Sequence, residues 1–60
     1  MARIMIIEDS ASQAAIIQGI VQQAGHEAIL CPDLSKGIAQ ILKSVNPEVV
    51  LVDLVLLGPD

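Results

Sequence analysis

Two kinds of apolar run alternate along this chain, and their order sets out its architecture. Arg3 to Ile7 is a continuous isoleucine-rich stretch closed by Glu8 and Asp9, the pattern of a strand buried on both faces. Ser10 or Ser12 can cap a following helix. Within it Ile17, Ile20, Val21 and Ala24 fall at i, i+3, i+4 and i+7, while Gln13, Gln18, Gln22 and Gln23 lie mostly off that stripe. Gly25 supplies the stop expected just past a helix C-terminus. Glu27 to Cys31 reads as a second short strand, weaker in signal because it opens on His26 and Glu27. Pro32 and Asp33 punctuate the chain, after which Leu34, Ile38, Ile41, Leu42 and Val45 keep helical spacing, with Lys36, Lys43 and Ser44 outside it. Asn46 and Pro47 end that helix, since proline cannot continue the hydrogen-bond ladder. Glu48 to Leu57 holds the most β-prone run, Val49-Val50-Leu51-Val52, and Gly58 and Pro59 mark a turn before Asp60.

The order is βαβαβ, an α/β pattern. Two crossover helices between apolar strands predict a parallel sheet with right-handed connections. Ligands of such open sheets bind beyond the carboxyl ends of the strands, where strand order reverses. Glu8 and Asp9 close the first strand, and Asp53 closes the apolar core of the third. Were those strands neighbours, about 4.8 Å apart, the three carboxylates would gather at one edge. Like charges in a partly dry crevice repel, and a hard divalent cation relieves the repulsion. Mg²⁺ is typically held by one or two carboxylates together with water and phosphate oxygens. The plainer reading makes Glu8, Asp9 and Asp53 solvated loop residues or helix caps. Spacing alone leaves the two readings level.

Composition adds boundaries to this picture. Sixty residues that are 53% hydrophobic and 17% charged, with no aromatic residue, carry much apolar surface for so short a chain. A domain of this size buries only about 60% of what its unfolded chain exposes. The lone Cys31 allows no internal disulfide, so the chain is expected to be a fragment or one partner in an assembly. A net charge of −4, with Arg3, Lys36 and Lys43 as its cations, lacks the basic footprint of nucleic-acid binding or of anionic lipid binding. The apolar run Ile4–Ile7 is too short for a signal peptide, and nothing approaches the roughly 20 residues of a membrane span. A soluble, cytoplasmic protein is the expectation. His26, beside Gly25, is expected to be a solvent-facing turn residue. Cys31, with no neighbouring base or cation in sequence, is expected to be a plain small hydrophobe.

The segments IMIIEDS and PEVVLVDLVLLGPD, at this spacing, resemble the first and third strands of response-regulator receiver domains. The resemblance runs over essentially all 60 residues. It implies a flavodoxin-like fold with strand order 2-1-3-4-5, of which residues 1–60 would be the N-terminal half: a βαβαβ portion of a (βα)5 domain without its fourth and fifth strands. It further implies two-component signalling rather than enzymatic activity. Asp53 would accept a phosphoryl group from a sensor histidine kinase or phosphotransfer protein. Asp9 would bind Mg²⁺ directly, Glu8 would be the second acid, often through a metal-bound water, and Asp53 itself and the backbone carbonyl of Val55 would be further ligands.

The chain departs from that pattern in two places. Leu57 stands where receivers usually carry a proline, with Pro59 two residues later. The family's Ser/Thr on the fourth strand and Lys on the fifth have no counterpart here. Lys36 and Lys43 on the second helix, and Arg3 at the far end of its strand, are poor substitutes, so the 60-residue chain is expected to be poorly active on its own.

Two other readings compete with the receiver. A Toprim-like metal-dependent nucleic-acid domain also places acids after early and later strands, but it wants an Asp-x-Asp pair. The residue two after Asp53 is Val55, and the acidic balance argues the same way. A structural half-domain would pair through the apolar edge Val49–Val52, making the 60-residue chain a homodimer or larger. A Gly-rich phosphate loop and a Ser/His/Asp or Cys/His catalytic set are both absent from the sequence.

Overall fold

A computed structural model describes residues 1–52 and builds them as β1 (Arg3–Ile7), α1 (Ala11–Gln23), β2 (Glu27–Cys31), α2 (Ile38–Val45) and β3 (Val49–Val52). The strands form one parallel sheet in the order β2-β1-β3. This is the α/β arrangement the patterning predicts, with the flavodoxin-like strand order that the receiver resemblance implies. The expected continuation of the third strand to Leu57, the turn at Gly58 and Pro59, and Asp60 lie outside the described residues.

β1 is central because its apolar run is unbroken. Met5, Ile6 and Ile7 are each at most 1% exposed, so both faces of the strand are covered. Successive side chains alternate between faces. On one face Met5, Ile7 and Cys31 form a core against which Leu34, Ile41, Leu42, Val45 and Val50 pack. On the other, α1 lies over β1 and β2 with Ala14 and Val21 buried.

The capping residues act as their sequence positions suggest. Ser10 is the N-cap of α1, its Oγ accepting the Gln13 N–H at 3.4 Å. Gly25, at φ +87°, follows the C-cap Ala24 in a conformation that a Cβ disfavours. Asn46 closes α2 in the left-handed region at φ 53°, donating its N–H to the Leu42 carbonyl at 2.7 Å.

Three expectations need correction. Ile20 is 63% exposed: the buried stripe of α1 runs through Ala14, partly through Ile17, and through Val21. The small Ala14 side chain lets that face approach the sheet, and Ile20 sits about 100° round the helix from Val21. The second helix begins at Ile38 rather than near Leu34. The Asp33 carboxylate accepts both the N–H and the hydroxyl of Ser35, at 2.9 and 2.6 Å, and this local turn displaces the first helical turn. Gly37 at φ +87° then redirects the backbone, and Leu34 reaches the core from outside the helix. His26, finally, is half-buried, and its Nδ1 accepts the Ala2 N–H at 2.9 Å. It fastens β1 to the start of β2 instead of facing solvent.

More such ties gather at the amino end of the sheet. Arg3 donates from Nη1 to the Val45 carbonyl at 2.9 Å, completing the C-terminal end of α2, and its Nε lies 3.4 Å from the Glu27 carboxylate. The Arg3 N–H donates to Glu48 Oε1 at 2.9 Å, while the Glu48 N–H donates to the Arg3 carbonyl at 2.8 Å. No described helix is long and apolar enough to cross a membrane.

Candidate functional site

The acidic pair sits where β1 ends and α1 has not yet begun. Ile7 is in register with Val52 of β3 and with Cys31 of β2, so Glu8 and Asp9 leave the sheet at the carboxyl ends of both neighbouring strands. The Glu8 N–H extends the ladder by one bond, donating to the Cys31 carbonyl at 3.2 Å. Its side chain then turns toward the loop, where Oε1 accepts the Ser10 N–H at 3.0 Å. Glu8 is only 5% exposed, an unusual degree of burial for a carboxylate. Asp9 is exposed. The two acids therefore differ in character: one is folded against the loop that starts α1, the other open to solvent.

Beside them lies an apolar cleft of about 370 Å³, lined by Ile6, Ile7, Glu8, Gln13, Ile17, Leu51 and Val52. It opens between α1 and β3 because α1 lies over β1 and β2, leaving Leu51 40% and Val52 38% exposed. Gln13 and Ile17 are the helix residues of this lining, and sequence reading did not assign them to a site. The available signal was their place one and two turns into a helix that starts at the acidic strand end.

Of the predicted site residues, Glu8 and Asp9 fall where expected, at the carboxyl edge of the sheet. Asp53 and Val55 lie outside the described residues; the described geometry reaches as far as Val52, paired with Ile7. Among the described residues no group of three or more His, Cys, Asp or Glu side chains is placed to hold a metal ion. Carboxylate oxygens are nonetheless the donors that Mg²⁺ prefers, and here an exposed acid stands next to a nearly buried one. Elsewhere at this end, Ser35 holds the exposed Asp33 carboxyl below its ordinary value of 3.8 through the hydroxyl and then the backbone N–H, with Lys36 adding a smaller pull against slight burial. Cys31 is buried as a small hydrophobe, its thiol donating to the Asp33 carbonyl at 3.0 Å.

No protein-family model and no solved structure matches the chain. Among curated proteins it is similar to Protein PilH of Pseudomonas aeruginosa, 31% identical over 58 residues that cover 97% of this chain and 47% of that protein. The chain thus spans about half the length of the relative it matches. Element order and strand order agree with the receiver resemblance read from the sequence, and this match supports it.

Proposed function

We propose that this chain supplies the metal-binding part of a phospho-accepting signalling site, with Asp53 as the acceptor. The observation that carries the reading is the pairing of Ile7 with Val52 in a parallel sheet. It sets the residues after β1 at the carboxyl end of the strand that leads in sequence to Asp53. A carboxylate oxygen of Asp53 would attack the phosphorus of a phosphohistidine on a sensor kinase or phosphotransfer protein. The new P–O bond forms as the P–N bond breaks, and the imidazole leaves with its electron pair and takes up a proton. Asp9 would hold Mg²⁺ directly, Glu8 through a water, and Asp53 itself and the Val55 carbonyl would complete the protein ligands. When bound, the ion would offset the charge of two approaching anions. Glu8 additionally braces the loop through Ser10, which keeps Asp9 at the strand end. The protein would act as a signalling switch in the cytoplasm rather than as an enzyme.

Treating the full-length protein with acetyl phosphate and Mg²⁺ tests the reading. Wild type should gain an acid-stable, base-labile phosphoryl group, and Asp53→Asn should gain none. Mn²⁺ titration should show Asp9→Ala losing metal affinity at unchanged thermal stability. Labelling that survives Asp53→Asn, or metal affinity that survives Asp9→Ala, would overturn the proposal.

A further inference from the structure

Two consecutive N–H groups lead the chain into β1, and each ends on an ionisable side chain. The Ala2 N–H donates to His26 Nδ1 at 2.9 Å, on the β2 side. The Arg3 N–H donates to Glu48 Oε1 at 2.9 Å, on the β3 side. The two kinds of acceptor respond to acid differently. An ordinary carboxylate takes up its proton at about pH 4, whereas imidazole is the side chain that changes charge between about pH 5 and 8. A carboxyl group that gains a proton still keeps a carbonyl oxygen for an N–H. An imidazole accepting at Nδ1 carries its proton on Nε2. Once Nδ1 is protonated as well, it has no lone pair left, and it faces the Ala2 N–H donor to donor.

The surroundings let the ring move without dragging its backbone. The Gly25 N–H donates to the Gln22 carbonyl at 3.0 Å, the His26 N–H to the Val21 carbonyl at 3.2 Å and the Glu27 N–H to the Ala2 carbonyl at 2.8 Å, so the main chain on both sides of the ring is held. His26 is half-buried, and solvent protons reach it. The charged groups around it are Arg3 on β1, Glu27 on β2 and Glu48 just before β3, with the Met1 amino group ahead of them. Arg3 and Glu27 face each other at 3.4 Å, Glu48 takes the Arg3 N–H, and among the described residues no carboxylate forms an ion pair with the ring. α1 ends in Gln22 and Gln23 and adds no charge, and its carboxyl end has the partial negative charge that receives an imidazolium. We propose that His26 is a pH-sensitive fastener: proton uptake by its imidazole frees residue 2 from the β2 side of the sheet, while Glu48 keeps residue 3 on the β3 side. One proton passes from solvent to Nδ1, and one N–H···N bond is exchanged for bonds to water.

The test is a titration of isotope-labelled full-length protein from about pH 8 to about pH 5, followed by nuclear magnetic resonance. At the upper end the ring nitrogens should report a bare Nδ1 and a protonated Nε2. As the ring charges, protection of the Ala2 amide, corrected for the intrinsic effect of pH on exchange, should fall by roughly fivefold with the ring's own midpoint. The Arg3 amide should keep its protection. His26→Asn places a side-chain oxygen about where Nδ1 stood and does not titrate in this range, so it should hold Ala2 throughout. His26→Phe keeps a ring without an acceptor and should leave Ala2 unprotected at every pH. Should either variant lose its circular dichroism, the ring and amide titrations of the wild type decide alone. Any of four results would overturn the proposal: an Nδ1 that carries the proton at the upper end, an Ala2 amide indifferent to the charge on the ring, an Arg3 amide released at the same midpoint, or an Ala2 amide that still titrates in His26→Asn. None of these outcomes bears on phosphorylation of Asp53.

Discussion

The two ends of this sheet are built by opposite means. At the amino end, ties join residues far apart in sequence: Ala2 to His26, Arg3 to Glu27, Arg3 to the Val45 carbonyl, and Arg3 to Glu48. At the carboxyl end, several side-chain bonds among the described residues span only two or three positions: Glu8 to Ser10, Ser10 to Gln13, Cys31 to Asp33, and Asp33 to Ser35. The first set fastens strands and α2 to one another. The second shapes each loop separately. Under the proposed function, an end that would present carboxylates to an ion and a phosphoryl donor gains from adjustable loops, provided the other end holds the strands in register.

Glu8→Ala should show the largest effect. It removes a nearly buried acceptor and strands the Ser10 N–H, a loss of about 1–3 kcal/mol for a buried unsatisfied group. Chemical denaturation should register it, and Glu8→Gln, which keeps a carbonyl oxygen for that N–H, should recover most of it. Amide exchange should quicken only around residues 8–13. Opening across all three strands would break the contrast between the ends. Arg3→Ala should cost less, about 1 kcal/mol, because its partners are half-exposed. Its effect should be wide: amides at the start of β2, the end of α2 and the start of β3 should lose protection together.

Ser35→Ala should have the smallest effect, and it is visible in pH dependence. The Asp33 carboxyl is held below 3.8 in the folded chain, so its bonds stabilise the fold above that value and the contribution fades as pH falls through the lowered one. Removing the hydroxyl should shift the Asp33 titration upward and flatten that acid limb, leaving stability near neutral pH almost unchanged. A titration identical to wild type would show that the hydroxyl does not set the Asp33 carboxyl.

Much of the fold was legible because single residues declared it. The isoleucine run announced the central strand, Ser10 marked a helix start through its side-chain cap, and Gly25 and Asn46 marked helix ends through positive-φ conformations few other residues favour. Three features stayed hidden because tertiary context decided them. Ala14, not Ile20, faces the sheet, since closeness of approach outweighs side-chain size. Leu34 matched the helical spacing of α2 while sitting in a turn made by Asp33 and Ser35. His26 found Ala2, which is 24 residues away in sequence. At the candidate site the acidic pair and its strand end could be read directly from the run that Glu8 terminates. The division between a buried Glu8 and an exposed Asp9 could not, because it depends on where the Ser10 N–H points.

The pairing of β1 with β3 also has a mechanical meaning. The strands run parallel, and residue 3 lies at one end of the pair while residue 52 lies at the other. A pull between those two points therefore drags the strands lengthwise past each other. In that shear geometry the ladder bonds from Ile4 to Ile7 share the load at once instead of failing one by one. Two hydrogen bonds between Arg3 and Glu48 stand at the loaded start of β1. The pair should resist stretching as a unit and then give way abruptly.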